Sequence, residues 1–152
     1  MAYIKVHAPT VVYHLTTTAN AEKILSDKCV KRFADTECWF CKSLQEMLIY
    51  MSMTVMNEGK AYYGVGGNLC HYPKFVPSDY VILVMPIDDC PDRWYIWNQE
   101  LPIGASKDLK KQAKYFSGLK IGYRGDLHFE NADVIHLTDI LDKLEQVKKF
   151  IY

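Results

Sequence analysis

The sequence predicts an α+β fold, and three observations carry that reading. Short runs rich in β-branched and aromatic residues recur at 11–15, 38–41, 80–85, 94–97, 119–123 and 132–137, while apolar residues at helical spacing occupy 43–55 and the stretch after 138. Helical patterns concentrate early and late. With 152 residues, 49% hydrophobic and 24% charged, and no linker-like tract, the chain suits one domain with a sizeable core.

The elements follow in order. Val11-Val12-Tyr13-His14-Leu15 reads as a strand, and Thr18 or Asn20 can cap a helix that carries Ala21, Ile24 and Leu25 inward. His14 therefore stands at a strand-to-helix junction, the kind of address at which open sheets hold ligands. Residues 29–33 form a short strand, the polar 34–37 a turn, and Cys38-Trp39-Phe40-Cys41 a buried strand. Ser43 caps the next helix, whose inward positions are Leu44, Met47, Leu48, Met51 and Val55, with Gln45 and Glu46 suited to its first turn. The methionines of this region read as core filling.

Residues 57–78 lack periodicity and are punctuated by Gly59, Gly64, Gly66, Gly67, Pro73 and Pro77 among aromatic residues, so a long loop is expected. Gly64-Val65-Gly66-Gly67 has neither the Lys-Ser/Thr ending of a P-loop nor the helix of a dinucleotide fingerprint, and reads as a hinge or lid. Tyr80 to Met85 is nearly continuous in apolar residues, as a central strand would be. A strand at 94–97 follows, then a helix at 106–116 capped by Ser106, whose Lys107, Lys110, Lys111 and Lys114 read as a solvated face. Strands at 119–123 and 132–137 precede a terminal helix running from Thr138 to about Lys149, with Ile140, Leu141, Leu144 and Val147 facing inward.

Eighteen basic residues balance eighteen acidic ones, so no whole-protein field favours nucleic acid or an anionic membrane. The polar opening is no signal-peptide core, and no apolar run approaches the ~20 residues that span a bilayer, which predicts a cytosolic protein without a membrane segment. Five cysteines without an export signal point to reduced thiols. Cys38 and Cys41 have metal-ligand spacing, with Cys70 and His71 as further donors, but they lie in a buried strand and lack a second paired spacing; no metal site is expected. Cys70 beside His71 is a weak nucleophilic pair, because sequence neighbours need not face each other.

Taken together, Tyr13-His14-Leu15-Thr16, the helix with Asn20, Ile24 and Leu25, and Cys38-Trp39-Phe40-Cys41-Lys42-Ser43 opening a second helix form a recognisable combination. In it the chain resembles the ADP-ribosyltransferase-like fold, especially the small rifamycin-inactivating and DNA-modifying toxin ADP-ribosyltransferases; RNA 2′-phosphotransferases share part of the opening. The likeness covers residues 11–50, about a quarter of the chain. It implies a single compact domain over residues 1–152, with a split, mostly antiparallel β core and peripheral helices.

The resemblance also implies roles. His14 would hydrogen-bond a ribose of NAD and take part in catalysis, and Thr16 would bind the nicotinamide amide or a nearby ribose. Trp39 falls where the rifamycin-modifying enzymes carry the tyrosine that packs on nicotinamide, and Tyr50, Tyr62 or Tyr63 could supply a further ring. The late carboxylate would be Glu130, with Asp88, Asp89 or Asp92 as its alternatives. Such a site constrains NAD and stabilises an oxocarbenium-like ribose while nicotinamide departs and an acceptor attacks the anomeric carbon. The acceptor, a protein, nucleic acid or small molecule, is not named by the sequence, nor is the oligomeric state. Two other readings stay open: a non-catalytic nucleotide- or partner-binding module on the same fold, and RNA 2′-phosphotransfer, for which Arg32, Arg93 and Arg124 are the only arginines.

Overall fold

β-branched and aromatic runs become strands, and apolar stripes at helical spacing become the helices that cover them. The structure, a computed structural model, describes residues 3–32, 37–63, 68–87, 93–97, 103–104 and 106–151. Its strands are β1 (Tyr3–Val6), β2 (Val11–Thr17), β3 (Cys29–Val30), β4 (Glu37–Cys41), β5 (Ala61–Tyr63), β6 (Leu69–His71), β7 (Tyr80–Pro86), β8 (Trp94–Trp97), β9 (Lys120–Arg124), β10 (Leu127–His128) and β11 (Asp133–His136). The helices are α1 (Thr18–Asp27), α2 (Leu44–Met53), α3 (Lys107–Leu119) and α4 (Leu141–Ile151).

Seven strands form one sheet in the order β1-β8-β9-β4-β2-β7-β11, antiparallel at every pair. Pairing strength is uneven across it. β2 meets β7 through seven registered pairs, but meets β4 through Tyr13↔Cys41 alone. The sheet is therefore stitched along a weak seam between a β1-β8-β9-β4 half and a β2-β7-β11 half. Two short ribbons, β3 with β10 and β5 with β6, lie outside it.

Strand alternation divides the core between the two faces of the sheet. Val12, Phe40, Leu83, Met85, Trp94 and Ile121 point to one face, where Ala21, Ile24 and Leu25 of α1 and Leu127 and Phe129 join them. Cys41 and Ile82 point to the other, under Met47, Leu48 and Met51 of α2 and Leu144 and Val147 of α4. Met47, Met51 and Met56 are buried, as core-filling residues should be, while Met53, expected among them, is half-buried.

The start of α2 matches its expected cap: Glu46 N–H donates to Ser43 Oγ at 3.1 Å, and that hydroxyl donates to Glu46 Oε1 at 3.0 Å. α1 differs, because Thr17, rather than Thr18 or Asn20, accepts from the Asn20 N–H at 3.2 Å. The third strand stops at Val30 rather than continuing to residue 33, and the expected loop at 57–78 contains the β5–β6 hairpin. β1 carries no strong strand pattern in sequence; it exists through its pairing with β8. A 3₁₀ turn at Leu137–Asp139 precedes the terminal helix, which begins three residues later than Thr138 and leaves Leu141 exposed rather than inward. The lysines of α3 at 107, 110, 111 and 114 are exposed, consistent with a solvated face. No helix among the described residues is long and apolar enough to cross a membrane.

Candidate ligand pocket

On the α2-bearing face, the register places Glu37, Trp39 and Cys41 of β4 opposite Arg124, Gly122 and Lys120 of β9. Beside them, Tyr95 of β8 pairs with Gly122, and Trp97 pairs with Tyr3 of β1. Alternate residues of four adjacent strands thus build an aromatic floor. Tyr50 of α2 and Ser117 of α3 close it from above, leaving a cavity of about 240 Å³ lined by Tyr3, Trp39, Tyr50, Trp97, Ser117 and Lys120.

Gly122 allows this floor to form. A Cβ there would stand 3.0 Å from Cζ3 of Trp39, so the indole occupies the space a side chain would fill and lies directly on the β9 backbone. Tyr3 leans on the same indole, with ring centroids 5.9 Å apart. Lys120 Nζ sits 4.0 Å from the centroid of the Tyr50 ring, a cation–π contact. Burial holds the Lys120 ammonium below the ordinary lysine range and raises the Tyr50 hydroxyl above the ordinary phenol range. Next to the floor, Arg124 Nη2 and Nε each lie 3.0 Å from Oε1 of the fully buried Glu37 side chain, and the guanidinium stacks 3.8 Å over Tyr95.

Two of the residues chosen from sequence, Trp39 and Tyr50, come together here. His14 and Thr16 do not. The β2 alternation puts them on the face with Val12, where Thr16 is buried and the His14 ring lies 5.4 Å from Phe40. The His14 pKa is lowered to about 4, chiefly by burial and then by the charge of Lys120, with a hydrogen bond to the Trp39 backbone acting in the opposite direction. At neutral pH the ring is therefore uncharged. Its bond to Trp39 falls at the seam, just past the single ladder pair between β2 and β4, where a side chain serves a backbone group that ladder pairing would otherwise serve.

Glu130 is exposed in the bend between β10 and β11 and follows Phe129, which packs into the core on the His14 side of the sheet. It makes no hydrogen bond or ion pair with His14 among the described residues. Asp88, Asp89 and Asp92 and the segment 64–67 lie outside the described residues. Cys38 and Cys41 are buried, and desolvation pushes each thiol up to about 11, which makes them poor nucleophiles near neutrality.

Sequence reasoning missed Tyr3, Trp97 and Lys120. A signal existed for the last: in Leu119-Lys120-Ile121-Gly122-Tyr123 a lysine and a glycine alternate with three apolar residues, which marks one face that does not enter the ordinary core.

Comparison of the chain with protein-family models, curated proteins and solved structures finds no match in any of the three. The chemistry of the pocket must speak for itself. Its rings can stack on a planar heteroaromatic group, and the lysine among its described lining can meet an anion. At about 240 Å³ it lies below the ~300–1,000 Å³ of pockets that enclose a whole drug-sized ligand, so it suits one ring system and its substituent.

Proposed function

We propose that this protein binds NAD through the aromatic pocket and uses it as the donor in mono-ADP-ribosyl transfer to a macromolecular or small-molecule acceptor. The observation that carries the reading is the convergence of Trp39 and Tyr50. These two rings, selected from sequence for packing on NAD, line one cavity although they stand on different elements. The weak seam between β4 and β2, with the pocket built on its β4 side, is in keeping with the split antiparallel core that the resemblance implies. The transfer step itself rests on the resemblance of residues 11–50.

A second reading, nucleotide binding without turnover, is favoured by one specific observation. The sheet separates His14 from the pocket, and the charged group among the pocket's described lining is a lysine rather than a carboxylate. A single experiment distinguishes the two: incubation of the wild type with NAD carrying a labelled ADP-ribose moiety and cell lysate, following released nicotinamide and transferred label. Transfer supports the enzyme. Saturable binding with no nicotinamide release supports the module, and the absence of both binding and consumption removes both readings. Within an active enzyme, Glu130→Gln is expected to abolish transfer; retained labelling would move the carboxylate role to Asp88, Asp89 or Asp92.

A further inference from the structure

Lys120 is the feature of the pocket that ring stacking does not explain. Its neighbours on β9, Ile121 and Tyr123, are buried on the opposite face, so register commits Lys120 to the cavity side. There its amine meets the face of Tyr50 at 4.0 Å, and no carboxylate pairs with it among the described residues. Cys41, its cross-strand neighbour, is held as a neutral thiol by its burial. Placing a cation in an aromatic recess without an anion costs free energy, and the cation–π contact offsets only part of it. An anionic ligand group would complete the site.

The same charge acts against another occupant. The nicotinamide ring of NAD is cationic, and a second positive charge beside it in a poorly solvated recess is unfavourable. Each half of NAD carries one phosphate that matches an ammonium donor, but only the adenine half brings that phosphate on a neutral ring. The cavity is also too small for a whole dinucleotide, so one end of NAD must be chosen. We infer that Lys120 selects the half of NAD whose ring is uncharged, the adenosine half, for this pocket, so that the ring held against Trp39 is adenine and the nicotinamide lies outside. This inference rests on the NAD reading and departs from the nicotinamide contact that the resemblance assigns to Trp39.

Trp39 and Trp97 line the cavity and provide an intrinsic fluorescence signal. The test is titration of the full chain with three probes: ADP, adenosine and 1-methylnicotinamide, the last carrying the cationic ring without phosphate. ADP is expected to bind at least about tenfold more tightly than adenosine, as one charge-assisted contact predicts, and 1-methylnicotinamide more weakly than either. Lys120→Met should reduce the preference for ADP over adenosine to less than about twofold while adenosine still binds, and Lys120→Arg should preserve the preference. Should Lys120→Met fail to fold by circular dichroism, the wild-type probe order together with Lys120→Arg decides the matter. Equal affinity for ADP and adenosine, or binding of 1-methylnicotinamide as tight as or tighter than that of adenosine, overturns the inference. If such a result accompanies nicotinamide release from NAD, the proposed function stands and only the adenosine assignment falls; if no probe and no NAD binds, both fall.

Discussion

His14 has a defined physical state that is independent of any catalytic role. Its pKa is lowered to about 4 from 6.5, so between these values the unfolded chain takes up a proton that the folded ring refuses. Stability from this residue is fully present above pH 6.5 and is lost as pH falls toward 4. The gap sets a ceiling of about 3 kcal/mol, and because the ring keeps partial contact with solvent, about 1–2 kcal/mol is expected. Urea denaturation at pH 7.5 and pH 4.5 should show this loss in the wild type and a smaller one in His14→Gln. An unchanged pH dependence in the variant would mean that other groups titrate in its place. The same residue calls for care in functional assays. His14→Ala removes the bond to the Trp39 backbone as well as the imidazole, so lost activity in that variant must be read beside its melting curve.

Elements, rather than single residues, assemble the pocket. Trp39 lies on β9 only because position 122 is glycine, and Gly122→Ala brings a methyl to about 3.0 Å from the indole. The indole must then lift from the strand. A red-shifted tryptophan emission is expected, with NAD or ADP affinity reduced about tenfold and a stability loss of about 1–3 kcal/mol, typical of overpacking. Emission and affinity both equal to wild type would show that the ring does not rest there.

This dependence on register also explains what could be read from sequence. β2, β7 and α2 were legible because hydrophobic run, spacing and cap agree within each segment: Val11 to Leu15, Tyr80 to Met85, and Ser43 with Met47 and Met51. β1 was not, since Tyr3-Ile4-Lys5-Val6 gains its strand character from four pairs with β8, and the β5–β6 hairpin was hidden by the glycines and prolines around it. For the site, Trp39 and Tyr50 announced themselves beside recognisable strand and helix signals. Tyr3, Trp97 and Lys120 lie far apart in sequence and meet them only through the pairing order β1-β8-β9-β4. Nothing local in the sequence specifies that order.

For the whole molecule, the weak β4–β2 contact is the structural fact with the widest reach. It leaves the aromatic floor on one half of the sheet, His14 at the dividing line on the opposite face, and Glu130 beyond β10. The proposed binding and the proposed transfer therefore fall on separate parts of the fold, and the binding part is the more exposed to test. Calorimetric titration of NAD into the wild type and Trp39→Ala tests it most directly. Base–aromatic stacking is worth about 1–3 kcal/mol, so the wild type should bind saturably and Trp39→Ala should bind at least about fivefold more weakly. Absence of saturable binding by the wild type, or equal affinity in a folded Trp39→Ala, would contradict the assignment of this pocket to NAD.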